Sequence, residues 1–391
     1  MNNFDLPDPV RLADVISTSL RDDILSPWFP RCVDETRGFH QNYTANWTAI
    51  PGTERSLVFQ SRMTWVTATV AELGHPEYLP YAEKGWRELS DNLFDPQSGG
   101  FRWDTGEFRE TFHAYGISFA IYALAAYYRV TRDPAVLAAA QAAFRFLEEN
   151  HYDEVHGGYW ETPGGVPPPH RDLIGTPPGQ KSQNTHLHLL EAFSELLPHW
   201  SNPTLRQRLG EILELFLNRF YVSPGWLHTE VNLDWSPVAG FVSYGHDIEA
   251  THLLITAAGL LQNQDPTVHL VAESITDYAL QYGWDADGGG FFNAGTPEGQ
   301  VTDRRKIWWV QAEGLLALAT LWNTTNRHRY GVALSHQWDW IQRYQIDSQN
   351  RGWNEFADQP QREKGHSWKE AYHESRALIH TIRRLKERVG N

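Results

Sequence analysis

Apolar residues recur along this chain at i, i+3, i+4 and i+7, the spacing that lays one stripe along a helix. The pattern is plainest in HAYGISFAIYALAAYYRVT (113–131) and PAVLAAAQAAFRFLEE (134–149), whose small Ala residues let helices approach closely. The same spacing predicts helices over 9–24, 56–73, 77–92, 184–197, 203–220, 245–262, 267–282, 306–322, 327–345 and 368–388, which makes twelve. Asp133-Pro134, Asn202-Pro203 and Asp265-Pro266 open three of them with a capping residue followed by proline, where the first-turn N–H needs no partner.

Between helix pairs a turn of the type Asp-x-x-x-Gly-Gly-aromatic returns. It appears as Gly38-Phe39, Gly100-Phe101, Gly158-Tyr159, Gly225-Trp226, Gly290-Phe291 and Gly352-Trp353, separated by 62, 58, 67, 65 and 62 residues. A period near 60 residues suits a unit of two helices plus a Gly-rich loop with a short extended piece. Twelve helices in six repeated pairs, with no strand-rich half and no linker, predict an all-α chain closed into an (α/α)6 barrel, a single domain over residues 1–391. In such a ring the even-numbered helices line a funnel built by the loops of one side.

Composition narrows the function. With 33 Lys+Arg against 48 Asp+Glu, a net charge of −15 and no basic run, the chain is a poor match for nucleic acid or an anionic membrane surface. No apolar run approaches the roughly 20 residues that span a bilayer, and the N-terminus lacks the basic start and apolar core of a secretion signal. A soluble, cytoplasmic protein is expected, as a monomer or homodimer with a small sugar as its partner. Cys32 alone excludes an internal disulfide and a thiolate metal cage. The 17 Trp exceed ordinary usage several-fold. A carbohydrate site is the expected use for roughly half of them, since flat indole faces meet the C–H faces of a sugar ring.

Candidate chemistry lies where polar residues interrupt apolar even-numbered helices. Asn184 and His188 fall one turn apart on one face, with Glu191 a turn further, while His186 points elsewhere. His246 and Glu249 stand at i, i+3, where a carboxylate can fix an imidazole tautomer or hold a sugar hydroxyl. Lys306, Trp308, Trp309, Gln311 and Glu313 share another helix, and the last opens with Trp368, Tyr372, His373 and Arg376. The second carries Arg62 and Trp65; Arg62 and Lys306 read equally well as plain ion-pair partners. His186-x-His188 and His246-x-x-Glu249 also have spacings that metal sites use. The first pair diverges by about 200° on a helix and the second offers too few ligands, so no metal is expected.

The runs KSQNTHLHLLEAF (181–193), SYGHDIEATHLL (243–254), KIWWVQAEGLLA (306–317) and WKEAYHESRAL (368–378) resemble signatures of the N-acylglucosamine 2-epimerase superfamily, above all its cellobiose 2-epimerase and mannose 2-epimerase branch. The resemblance implies an (α/α)6 barrel that interconverts sugars epimeric at C2, or an aldose and its ketose, without a redox cofactor. Carried over by position, it implies His373 and His246 as general acid/base residues. It makes Arg62, Asn184, His188, Glu249, Trp308 and Trp368 binders of the reducing-end sugar, Glu313 a substrate-site carboxylate and Tyr115 a lining residue.

Arg62 is then the natural group to stabilise an enediolate oxygen, and His188 with Asn184 to hold O1 or O5 during ring opening. Disaccharide-acting members carry a Pro-Trp-Lys-Cys-Pro-Tyr-His-Asn style motif, whereas this chain has Ser367, Glu370, Ala371 and Glu374 around Trp368, Tyr372 and His373. Mannose or glucose is therefore as eligible as cellobiose. Two other classes stay open: an inverting glycoside hydrolase using Asp247, Glu249 or Glu313, which leaves both histidines idle, and a non-catalytic sugar-binding module.

Overall fold

The computed structural model describes residues 6–166 and 170–390. Twelve long helices follow one another there: α1 (Pro9–Ser19), α2 (Leu57–Glu72), α3 (Leu79–Glu88), α4 (Ala114–Thr131), α5 (Pro134–Asn150), α6 (Gln183–Leu196), α7 (Pro203–Leu215), α8 (Tyr244–Leu261), α9 (Thr267–Tyr278), α10 (Trp308–Thr325), α11 (His328–Trp340) and α12 (Tyr372–Gly390). Each even-numbered helix packs on the next, and α12 returns to α2, so the inner ring closes. The odd-numbered helices lie outside, each against an inner neighbour, with α1 resting on α12. This is the (α/α)6 barrel that the sequence predicts.

The two rings differ in what they bury. Every residue of α2 from Leu57 to Val70 is buried, as is α10 from Val310 to Trp322. On α3 only Ala82, Gly85 and Glu88 are buried. A helix apolar all round belongs between other helices, and a striped one belongs at the surface. Among the described residues no helix is long and apolar enough to cross a membrane.

Five outer helices end in a wider π turn, at Leu20–Leu25, Leu89–Leu93, Phe216–Phe220, Ala279–Gly283 and Ile341–Gln345. The apolar spacing runs through these turns without a break, which is why the sequence predicts single longer helices there. A tight hairpin follows, and its chemistry explains the repeat. Asp34, Asp95, Asp153, Asp285 and Asp347 each accept turn N–H groups at Oδ1. Each also pairs with a cation, namely Arg55 at 2.7 Å, Arg102 at 3.2 Å, Lys181 at 2.7 Å, Lys306 at 2.6 Å and Lys364 at 2.7 Å.

The aromatic after the glycine bridges back across the hairpin, as Phe101 does to Phe94 and Phe291 to Trp284. At Gly290, with φ of 77°, an added Cβ would sit 2.8 Å from the Trp340 ring, so only glycine fits. The copy at Gly225 has no Asp and is built instead on the pairs Tyr221–Leu227 and Val222–Trp226. Lys306 is thereby placed as a turn partner, and Gln311 holds the Phe291 backbone through both ends of its amide.

One predicted boundary moves. The last helix begins at Tyr372 rather than 368, because His366 and Lys369 exchange backbone hydrogen bonds and throw Trp368 onto the tip of a turn. Apolar spacing does not register such a turn.

Candidate active site

A cavity of about 380 Å3 opens where the N-terminal ends of the six inner helices meet. Arg62 from α2, Tyr115 from α4, Asn184 and His188 from α6, His246 and Glu249 from α8, Trp308 and Trp309 from α10, and His373 from α12 all line it. Trp368 joins them from the turn before α12, 39% exposed at the rim. Leu173 and Ile174 complete the wall from the loop before α6, and nothing in their spacing marked them. Helix N-termini carry a partial positive charge, so this end of the ring favours an anion.

Three histidines face the cavity, and each is pinned through Nδ1. His188 Nδ1 lies 2.9 Å from Glu191 Oε2, His373 Nδ1 lies 2.7 Å from Glu313 Oε1, and His246 Nδ1 lies 2.8 Å from Ser243 Oγ. Each ring is left with Nε2 to meet a ligand. His246 and His373 flank Trp309, with ring centroids 4.8 and 5.7 Å from it. Glu249 does not reach His246 as the i, i+3 spacing suggests; it pairs with Arg376.

Arg376 organises the layer beneath. Fully buried, its guanidinium bonds Glu191 and Glu249, lies 2.7 Å from Glu313 and donates to the Tyr372 hydroxyl at 2.8 Å. Helical spacing marks Arg376 only as a polar residue of the last helix, because it does not register which carboxylates from other helices will surround a guanidinium. Arg62 is 3% exposed; it donates to Glu370 at 3.1 Å and to the Tyr115 hydroxyl at 3.0 Å, and stacks over Phe119 at 4.2 Å. It is both an ion-pair partner and a cavity residue.

These surroundings set the charges. Burial lowers His246 and His373 to about 3, assisted at His246 by His188 and Arg62 and at His373 by Arg62 and Arg376, against which Glu313 pulls upward. Burial lowers His188 to about 4 despite Glu191. Burial therefore holds the imidazoles of this cavity neutral. Burial alone would raise Glu313, but Arg376 outweighs it and keeps that carboxylate charged, while burial and the Glu313 charge push Glu249 upward.

Other expected site residues lie elsewhere. Glu313 is fully buried behind His373 and does not line the cavity, whereas Trp309, one turn earlier on the same helix, does. Asp247 turns outward to Gln183 and the Leu227 N–H. His186 serves the outer wall, accepting from Tyr159 N at 3.0 Å. Of the 17 indoles only Trp308, Trp309 and Trp368 line the cavity; the others pack the helices, Trp28, Trp65 and Trp353 among the most completely buried.

Among the described residues two groups bring three potential metal ligands within 4.8 Å: Glu249 with Glu313 and His373, and His113 with Glu161 and Asp172. Arg376 already neutralises the first and would repel a cation there. In the second, His113 Nε2 lies 3.0 Å from Asp172, and Glu161 accepts from Ser182 N and the Thr185 hydroxyl.

A neutral imidazole on each side of an aromatic-walled cavity, with a guanidinium and six helix N-termini converging on it, suits proton abstraction from carbon and stabilisation of the resulting anion. Comparison with known proteins points the same way. Residues 38–377 match the family model described as N-acylglucosamine 2-epimerase. The chain is 30% identical over 387 residues to a cellobiose 2-epimerase of Bacteroides fragilis, covering 92% of this chain and 95% of that protein. It is 25% identical over 390 residues to a D-mannose isomerase of Marinomonas mediterranea, covering 92% and 94%. The solved cellobiose 2-epimerase of Bacillus thermoamylovorans superimposes with a TM-score of 0.88 at 26% identity, covering 96% of this chain and 100% of that one. The chain is thus a carbohydrate epimerase or isomerase belonging to the N-acylglucosamine 2-epimerase family.

Proposed function

We propose that this enzyme inverts C2 of an aldose, interconverting glucose and mannose configurations in a free sugar or at a reducing end, through an enediolate. Opening of the sugar ring comes first, and His188 with Asn184 assists it at O1 or O5; Asn184 Oδ1 has no partner within the protein. One of His246 and His373 removes the C2 proton at Nε2. The other, charged, returns a proton to the opposite face, each transfer contributing about 10²–10⁴-fold. Arg62 and the helix N-termini stabilise the oxyanion. That negative charge also favours an imidazolium beside it, against the bias toward neutrality that burial sets. Trp308, Trp309, Trp368, Leu173 and Ile174 keep out water that would protonate the intermediate unselectively.

The observation that carries this reading is the pair His246 and His373, each held through Nδ1 and lining one cavity on either side of Trp309. Return of the proton to C1 of the same intermediate gives a ketose, and the likeness to a D-mannose isomerase favours keeping that as the second reading. Hydrolysis is disfavoured, because Glu249 is the sole carboxylate among the described lining residues and inversion at a glycosidic bond needs two. The test is incubation with mannose, glucose, fructose and cellobiose in D2O, followed by NMR of the products. Deuterium at C2 of an epimer supports epimerisation, and a ketose labelled at C1 supports the ketose route. An unlabelled, cleaved disaccharide would overturn both.

A further inference from the structure

Most of the active-site wall stands on helices, but Leu173 and Ile174 reach it from the loop between α5 and α6. A loop keeps its place only through the contacts that tie it down. Asp172, the residue before them, folds the chain into a tight turn: its Oδ1 accepts the N–H groups of Ile174 at 3.0 Å and Thr176 at 2.8 Å. Its Oδ2 lies 3.0 Å from His113 Nε2. Of the hydrogen bonds that residues 170–179 make to described residues, this one leaves the segment and the rest are internal.

His113 is placed to hold that bond. It is the N-cap of α4, two residues before Tyr115, and its Nδ1 accepts the Tyr115 N–H at 3.2 Å. An imidazole that accepts at Nδ1 carries its hydrogen at Nε2, so Nε2 donates to Asp172. The ring is 1% exposed and lies 5.4 Å from that of Trp103, which in turn lies 6.1 Å from Trp368 at the rim. Glu161 stands 4.0 Å from the same Nε2 and accepts from Ser182 N at 2.8 Å and from the Thr185 hydroxyl, where α6 begins.

The starts of α4 and α6, which bring Tyr115, Asn184 and His188 to the cavity, are thus joined to the loop at one buried point. Burial alone would raise the Asp172 carboxyl, but the His113 N–H and the turn amides outweigh it and keep it charged. A charged acceptor makes the bond to His113 stronger than one between neutral groups.

The C2 chemistry needs such a wall. One imidazole takes a proton from C2 onto Nε2, and an enediolate remains. Return of that same proton regenerates substrate; delivery of a proton by the opposite imidazole gives the epimer. Water that reaches Nε2 in the interval exchanges the captured proton for one from solvent. We infer that His113 and Asp172 are positioning residues for this reaction: their hydrogen bond holds Leu173 and Ile174 as a water-excluding wall, so that the hydrogen taken from C2 stays on the imidazole that took it. Neither His113 nor Asp172 lines the cavity, and both act through the two apolar side chains.

This inference rests on the C2 chemistry proposed above, and one experiment separates their failures. Mannose and glucose, or cellobiose and its epimer, are each converted in D2O. At early conversion, before product returns, C2 deuterium in recovered substrate is divided by product formed. The ratio is taken over the molecules that react, so a variant that merely folds less well lowers the rate and leaves the ratio alone. Asp172→Ala unties the loop and is expected to raise the ratio for at least one epimer by about tenfold or more, the population shift that loss of one hydrogen bond to a charged group brings.

His113→Asn keeps a side chain that caps α4 but ends short of Asp172, and the same rise is expected. Leu173→Ala combined with Ile174→Ala removes the wall itself and shows the ratio of an unsealed cavity. A raised ratio in all three supports the inference. An unaltered ratio from both epimers in Asp172→Ala and His113→Asn overturns it and leaves the function standing. Wild-type product without deuterium at C2 or C1, or no conversion of any of these sugars, overturns the functional reading and this inference with it.

Discussion

The two walls that carry His246 and His373 are built from the same parts and charged differently. On both, an inner helix presents an imidazole near its first turn and fixes Nδ1, so that Nε2 faces the cavity. Behind His373 stands a buried carboxylate, Glu313, itself held by Arg376; behind His246 stands only the Ser243 hydroxyl. A carboxylate stabilises imidazolium and a hydroxyl does so weakly. The α12 wall is thus the better place to store a proton and the α8 wall the better place to begin neutral.

That asymmetry breaks first at the histidines. His373→Ala and His246→Ala are each expected to lower kcat by about 10²–10⁴-fold with the helical circular dichroism retained. Near-normal turnover in either removes that residue from the mechanism. Glu313→Gln leaves His373 in place and takes away the charge behind it; a hydrogen bond to a charged group is worth about 1.5–3 kcal/mol, so roughly 10²-fold is expected in steady-state rates. Ser243→Ala removes one neutral hydrogen bond behind His246, worth about 1 kcal/mol, so a loss of about fivefold is expected. Equal losses in these two variants would erase the distinction between the walls.

The same comparison fixes a pH dependence. Burial and the nearby guanidinium groups hold both imidazoles near 3, well under the ordinary 6.5. Their NMR signals are expected to stay constant from pH 8 to pH 5, and in Glu313→Gln the His373 transition moves lower still, since Glu313 is what raises it. An aldonate, whose carboxylate is already an anion across this range, mimics the enediolate charge and favours the imidazolium, so its binding takes up a proton. Affinity then strengthens as pH falls, by up to about tenfold per unit, and calorimetry in buffers of different ionisation enthalpy counts the proton. The smallest effect is expected from chelators. Arg376 neutralises the one carboxylate cluster touching His373, so treatment with EDTA leaves turnover unchanged; loss of activity restored by a metal would contradict that.

Helical spacing and the six Gly-aromatic turns carried the architecture, because one repeats every 3.6 residues and the other every 60 or so. Site residues were legible where they interrupt apolar helices: Arg62, Asn184, His188, His246, Glu249, Trp308 and His373 all reach the cavity. Glu313 fell one layer too deep, since spacing fixes the face of a helix but not what stands in front of it. Trp368 was placed on a helix and sits on a turn. Arg376 was legible as a polar residue of the last helix but its three carboxylate partners were not, and Leu173 and Ile174 are ordinary apolar residues on a loop that no spacing marks. The tryptophan excess misled in degree, because most of the indoles fill the spaces between helices.

Most direct is a measurement of where the hydrogen at C2 comes from. C2-deuterated mannose is converted in ordinary water under single-turnover conditions, and the glucose formed is analysed for deuterium at C2. Two imidazoles acting from opposite faces predict product carrying hydrogen from solvent and essentially no transferred deuterium. Substantial deuterium at C2 of the glucose would mean that one base carries the proton from face to face, and would contradict the account.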